Sequence, residues 1–325
     1  MQRTRKFAAM VPLALAVSGA SLSVYAQSYP SRPIRLIIGS FPGGGIDFVG
    51  RVVAQKMSEN IGQQVIVDNR GGANGIIGMD ATAKASADGH TFYMGTAGHI
   101  GVNPALVSKL PFDIEKDFAP LTLAATLPFL IYVHASLPVK TLSELIDHAK
   151  ANPGKLTWSS SGDGGLPHLS GELIRLASKI DTRRIPYKGS APAFNDLVGG
   201  RVNYCIEVIS IGVSHVKAGR LNVIATTAPK RLPMFPTVPA VSETLPGVEV
   251  LNWYGTIMPR GVPNDTAAKL YNEFVKALRD PELLAKLTTS GFDADGRPPA
   301  EFSAFRRAEQ ARWGKVIEQA GVKKL

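Results

Sequence analysis

Apolar positions along the chain repeat one unit: a short β-branched run, a glycine-rich connection, then apolar residues at helical spacing. Ile34-Arg35-Leu36-Ile37-Ile38 has the length and composition of a strand, and Val49, Val52, Val53, Met57 and Ile61 recur on one helical face after it. A second strand is predicted over Gln64-Val65-Ile66-Val67, a second helical stretch from Arg70-Gly71-Gly72-Ala73-Asn74-Gly75 through Lys84, and a third strand over Thr91-Phe92-Tyr93-Met94. Strands alternating with helices of this length form right-handed βαβ units and a mostly parallel sheet, in which ligands sit outside the carboxyl ends of the strands. The loops after the first and third strands, Phe41 to Asp47 and Gly95 to His99, then share one rim.

The rhythm changes at Leu121, where the chain turns extended through Leu130-Ile131-Tyr132-Val133. Thr141-Leu142-Ser143-Glu144 is a capping-box sequence in which Thr141 and Glu144 satisfy each other's backbone N–H groups, and its helix runs to Ala151. Leu156-Thr157-Trp158 is the next strand, leaving through the hydroxyl- and glycine-rich Ser159 to Gly165, with Pro167 at a first helical position. A strand at Ile185 to Tyr187, a short helix to Val198, the strand Val202 to Ile206 and a further strand at Leu221 to Thr226 follow. After the extended segment Val248 to Met258 only helices remain, over 265–278, 281–289 and 299–320. Helices with an apolar stripe need a sheet to cover, and the N-terminal sheet is the one left short of cover. The expected organisation is a discontinuous first lobe, 27–128 plus 248–325, and an inserted second lobe, 129–247, joined by two extended crossings. A two-strand hinge of this kind permits closure around a ligand in the cleft between the lobes.

Residues 1–26 stand apart. Arg3, Arg5 and Lys6 precede an apolar run that ends in Val24-Tyr25-Ala26, the pattern of a signal peptide, so export to the periplasm is expected. Its three basic residues take the formal charge from +10 to +7, and the remaining Lys and Arg are dispersed without a basic run, which argues against a nucleic-acid partner. Cys205, the only cysteine, cannot form an internal disulfide and reads as a buried small hydrophobe in its strand.

Catalytic motifs are missing. There is no Gly-x-Ser-x-Gly elbow, no Gly-Lys-Ser/Thr phosphate loop, no His-Glu-x-x-His and no cysteine pair for zinc, so no cofactor is expected. Gly43-Gly44-Gly45 is followed by Ile46, Asp47 and Phe48, where a dinucleotide fingerprint needs a later glycine. The competing enzymatic reading is an exported hydrolase using a serine of Ser159 to Ser161, which needs a base beside it. What the loops and strand ends do offer is candidate binding residues from both halves, most of them hydrogen-bond donors. Phe41, Pro42, Gly43, Gly44, Gly45, Asp47, Thr96 and Ala97 come from the first lobe; Ser160, Ser161, Gly162, His168, Tyr187, Lys188, Gly189, Ser190 and Glu207 come from the second. Neutral amides and hydroxyls at a helix start suit a carboxylate, because they bind it without burying an unpaired positive charge.

Several stretches together resemble the Bug (Bordetella uptake gene) family, the periplasmic solute-binding receptors of tripartite tricarboxylate transporters. They are Tyr29-Pro30-Ser31-Arg32-Pro33-Ile34, Pro42-Gly43-Gly44-Gly45-Ile46-Asp47, Val67-Asp68-Asn69-Arg70, Pro138 to Leu145, Ser160-Ser161-Gly162, His168-Leu169, Pro186 to Ala193, Phe235 to Pro239 and Trp313-Gly314-Lys315-Val316. The resemblance implies an α/β, two-lobed type II periplasmic binding fold that pinches a ligand carboxylate between the loops at Pro42 to Asp47 and Ser160 to Gly162. It also implies delivery to a membrane permease with a large and a small subunit, by a receptor expected to be monomeric. Ile46, Gly165, Leu166 and Pro167 stand where family members commonly carry small hydroxyl residues, and Asp163 adds a negative charge. Fewer hydroxyls point to a ligand less polar than citrate, an aromatic or aliphatic carboxylate. A receptor read by a signalling partner instead of a permease would have the same cleft.

Overall fold

The computed structural model describes residues 29–325, so the expected signal peptide lies outside the described residues. Ten strands form: β1 (Ile34–Ile38), β2 (Val65–Asn69), β3 (Thr91–Thr96), β4 (Phe118–His134), β5 (Thr157–Ser161), β6 (Arg183–Tyr187), β7 (Tyr204–Val208), β8 (Leu221–Thr226), β9 (Leu251–Pro259) and β10 (Asp293–Ala294). They build two sheets that share β4, in the orders β2-β1-β3-β9-β4-β10 and β6-β5-β7-β4-β8. The βαβ rhythm is realised where it was read: β1 pairs in parallel with β2 and β3, and β5 with β6 and β7. Each sheet is nevertheless mixed, because β9 pairs antiparallel with β3 and β4, and β4 antiparallel with β7, β8 and β10. Strands that carry the chain between lobes have no crossover helix, and without one the antiparallel arrangement is the direct connection.

The lobes meet where β4 changes partners. Pro128 still pairs with Leu251 of β9, whereas Phe129 pairs with Val208 of β7. Thr227, buried at this point, clips both crossings: its Oγ1 accepts from the Phe129 amide (2.8 Å) and donates to the Val250 carbonyl (2.6 Å). Its own amide and carbonyl bond Phe129 and Val250 as well.

Helices cover the sheets much as their apolar stripes require. Gly45–Ile61 packs on Asn264–Leu278 and Pro281–Thr289 over the first sheet. The last helix, Pro299–Gln319, does more than cover that sheet. It also packs on Leu166–Ser178 of the second lobe, and one apolar cluster runs from Ile37 and Tyr93 through Trp253 and Trp313 to Trp158 and Leu169. The link between lobes therefore includes this helix besides the two strands.

Three local expectations change. Strand β5 continues through Ser161, so Ser159 and Ser160 are fully buried strand residues and only Ser161 reaches the exit loop. The chain beyond β3 is not an open loop, because a π-type turn begins at Gly98 and leads into the short helix Asn103–Leu106. At the capping box, Thr141 Oγ1 does accept from the Glu144 amide, but Glu144 Oε2 accepts from Lys140 rather than from Thr141.

Thr227→Val keeps the shape and removes the hydroxyl, leaving the Phe129 N–H and Val250 C=O short of one partner each. A buried polar group left unpaired costs about 1–3 kcal/mol, so urea unfolding should show a loss in that range. A change below about 0.5 kcal/mol, the level of an ordinary surface substitution, would mean the clip does not hold the crossing.

Candidate ligand cleft

At the carboxyl ends of β1, β3, β5, β6 and β7 lies a cavity of about 970 Å³ between the lobes. The first residues of four helices line it: Gly45 of Gly45–Ile61, Leu166 and Pro167 of Leu166–Ser178, Ser190 to Pro192 of Ser190–Val198, and Ser210 and Ile211 of Ile209–Lys217. Helix starts have unpaired N–H groups and the positive end of the helix dipole, so four of them favour a bound anion.

The glycine loop owes its shape to a carboxylate behind it. Gly43 has φ +91° and donates its amide to Asp47 Oδ2 at 2.9 Å. Asp47 Oδ1 accepts from Asn69 Nδ2 (2.9 Å), Oδ2 also accepts from Arg51 Nε (3.0 Å), and Asn69 reaches on to the Ser40 carbonyl. Burial by itself would raise the pKa of Asp47, but the hydrogen bonds from Arg51, Gly43 and Asn69 outweigh it and hold the carboxyl below the usual range. Asp47 therefore fixes the loop from its core side and does not line the cavity. The amides of Gly44 and Gly45, which line the cavity, have no hydrogen-bond partner among the described residues. Gly45 must lack a side chain, since a Cβ there would stand 2.8 Å from Tyr254 Oη.

Of the residues singled out from the sequence, Phe41, Pro42, Gly43, Gly44, Gly45, Thr96, Ser161, Lys188, Gly189, Ser190 and Glu207 line this cavity. Ala97, Ser160, Gly162, His168 and Tyr187 do not, and like Asp47 they act on the walls. Ala97 is buried after β3, next to His99, whose imidazole burial holds down to about pKa 4 so that it meets Tyr93 Oη as a neutral ring (2.9 Å). Ser160 is buried with its Oγ accepting from Arg184, and Arg184 also pairs with Asp163, so the negative charge expected on that loop is compensated. Gly162 donates to the Tyr187 carbonyl (2.8 Å), and Tyr187 Oη donates to Asp196 (2.7 Å). His168 Nδ1 accepts from the Gly164 amide (3.0 Å), which fixes the turn before the helix. Ile46 is packed in the core and leaves the cavity surface unchanged, whereas Gly165, Leu166 and Pro167 do face it. Cys205 is fully buried, as its strand position implied.

Other lining residues carry no motif and were not anticipated: Asn74, Phe129, Val208, Asn252 and Tyr254. Asn74 adopts a left-handed φ of +49°, and its side chain and carbonyl are locked to Asn103. An Asn in Gly72-Ala73-Asn74-Gly75 was the available hint, since Asn tolerates that conformation. Tyr254 sits on the crossing strand, where sequence distance hides it.

Glu207 at the end of β7 is 2% exposed. Its Oε2 accepts from the Val208 amide at 3.2 Å, while Oε1 is buried with no hydrogen-bond partner among the described residues. Burial raises its pKa above the usual carboxylate range; the neighbouring Ser161 and Ser190 hydroxyls and the Val208 amide pull the other way without reversing it. Neither hydroxyl stands in hydrogen-bond geometry with Oε1. Among the described residues no histidine is hydrogen-bonded to Ser159, Ser160 or Ser161, and no cluster of metal-ligating residues forms.

The family model for the tripartite tricarboxylate transporter family receptor matches residues 49–322. The chain belongs to that family. Protein BugT of Bordetella pertussis is 31% identical over 99% of both chains, and a UPF0065 protein from the tcbD-tcbE intergenic region of a Pseudomonas species is 38% identical over 90% of this chain and 87% of the relative. Among solved structures, an R. palustris protein with adipate is 34% identical (TM-score 0.83, 91% of this chain, all of the other). MatC from Rhodopseudomonas palustris with bound malate is 30% identical (TM-score 0.78, 89% of this chain, all of the other), and the periplasmic binding protein BugD is 30% identical (TM-score 0.80, 91% of this chain, all of the other). The protein has the two-lobed α/β architecture of these periplasmic binding proteins and is a receptor of the tripartite tricarboxylate transporter family.

Asp47→Ala should destabilise the receptor by about 2–3 kcal/mol, because two donors and a guanidinium lose a common buried acceptor. Since the folded pKa of Asp47 is depressed, this stability is present above the unfolded value near about 3.9 and is lost as pH falls through the folded value. The gap between wild type and variant in urea unfolding should close below about pH 4; a gap that stays constant down to pH 2 would contradict the assignment.

Proposed function

We infer that the receptor is exported, does not catalyse a reaction, and closes its two lobes, 27–128 plus 248–325 and 129–247, over an aliphatic or aromatic carboxylate for a membrane permease with large and small subunits. The supporting observation is the cleft's lining: free helix-start amides beside an apolar wall of Phe41, Phe129, Leu166, Pro167, Pro192 and Ile211. Amides at one end take a carboxylate, and the apolar wall favours carbon over hydroxyl along the rest of the ligand. That combination suits a medium-length dicarboxylate better than a hydroxyl-rich tricarboxylate. Lys188, exposed at the rim, adds a mobile positive charge to draw anions in.

A thermal-shift panel tests this with succinate, malate, adipate, benzoate, nicotinate and citrate, with nicotinamide and phosphate as controls. Occupancy at one hundred times the Kd stabilises a fold by about 2.7 kcal/mol, so adipate or benzoate should raise Tm clearly. Stronger stabilisation by citrate than by every less polar acid would overturn the ligand class, and product formation would overturn the non-catalytic reading.

Gly44→Val and Ser161→Ala place the site. A Cβ at Gly44 meets nothing within 4 Å, so the side chain should project into the cleft without disturbing the fold. Both variants should keep the wild-type Tm without ligand and bind the stabilising acid at least tenfold more weakly in calorimetry. Wild-type affinity in both would show that the ligand sits elsewhere.

A further inference from the structure

A carboxylate receptor with a buried acidic residue in its binding wall poses a physical problem. Glu207 lines the same cavity as the free glycine-loop amides, its Oε1 is sequestered without a partner, and no Lys, Arg or His pairs with it among the described residues. An ionised Glu207 would repel the ligand's charge at close range. It would also draw the Ser161 and Ser190 O–H groups toward itself, leaving only their lone pairs facing the cleft.

We propose that Glu207 carries its proton when the receptor binds an acid, and that its protonation state sets the hydrogen-bond polarity of this wall. With the proton on Glu207, the carboxyl O–H donates to a serine oxygen and the Ser161 and Ser190 hydroxyls donate onward to the ligand carboxylate. With Glu207 ionised, the same hydroxyls point inward and the wall accepts donors such as an ammonium or amide. The cleft thus selects acids over amino acids and amides by one proton that no side-chain cation competes for. The proposal rests on the carboxylate reading above.

Burial among neutral groups favours the protonated form. Tyr132 of β4, Cys205 on the same strand and Tyr254 of β9 face Glu207, and all three are themselves buried and neutral, with burial pushing each group up. Lys188 belongs to the cavity lining but is exposed, where water screens it. The start of helix Ile209–Lys217 opposes the effect, since it favours a negative charge. Burial is the largest influence on this carboxyl and outweighs the Val208 amide at that helix start together with the Ser161 and Ser190 hydroxyls.

Two readouts test the proposal. In the ligand-free receptor, the infrared difference between wild type and Glu207→Gln should contain a protonated-carboxyl band at pH 7. Adipate affinity, measured by calorimetry between pH 6 and 9, should persist wherever that band is present and fall about tenfold per pH unit once it is lost. Glu207→Gln, neutral and still a donor, should show no such fall, and Glu207→Leu, which cannot donate, should bind weakly at every pH. Absence of the band at pH 7 overturns the proposal, as does a wild-type affinity that ignores the loss of the band. A loss of more than tenfold in Glu207→Gln at pH 7 would also overturn it and indicate an ionised acceptor. Failure of every acid to bind would refute the receptor's ligand class, and the band would still report the proton on Glu207.

Discussion

A β-strand has only two edges, and β4 uses both of its edges in each of two sheets. Over Phe118 to Pro128 it lies between β9 and β10, and over Phe129 to His134 between β7 and β8. The lobes are therefore parts of one hydrogen-bonded ladder that changes partners within a single peptide step. Thr227 supplies the bonds that this change would otherwise leave open. The cleft lies where the two sheets diverge, so its position follows from the switch in pairing.

The same geometry explains the cleft's chemistry. Strands β1, β5, β6 and β7 all end there, and each hands the chain to a helix whose first residues line the gap. A donor-rich cavity results without any basic residue in its interior, which matches what recognition of a carboxylate requires: many fixed neutral dipoles and little desolvated charge. Rigidity comes from behind the surface. Asp47, Asn69, Arg51, Ser160, Arg184, Tyr187 and His168 bond one another or the loop backbones, and hold amides in place without touching the cavity.

Bridging by the last helix restricts how the lobes can move. Trp313 donates to Glu309, which also accepts from Trp253 on the crossing strand, and the helix packs on both lobes. The closure proposed above would then be a small rotation about the crossings that the shared core tolerates, the kind of motion expected when packed helices slide by small amounts.

Local sequence determined most of the elements and the rim of the cleft. The period-two and period-3.6 patterns, the glycine runs and the prolines at helix starts are short-range signals, and they placed β1 to β3, the glycine loop and the three C-terminal helices correctly to within a few residues. The motif order alone also carried the family, which the match over residues 49–322 bears out. What sequence could not decide was which side of an element each residue faces and what lies across from it. Ser160 and Ser161 are adjacent and chemically identical, yet one is sealed in a strand and the other opens on the cleft, because β5 runs three residues past Trp158 and ends at Ser161 on the cavity. Tyr254 lies more than two hundred residues from Gly45 and stands against it only because β9 returns beside β3. Glu207 stands among the candidate binding residues in sequence, whereas its burial at the end of β7, with Oε1 unpartnered among the described residues, appears only in the folded chain. Backbone pattern is local and so was legible; burial, facing and electrostatic environment arise from residues distant in the chain, and only the tertiary structure assembles them.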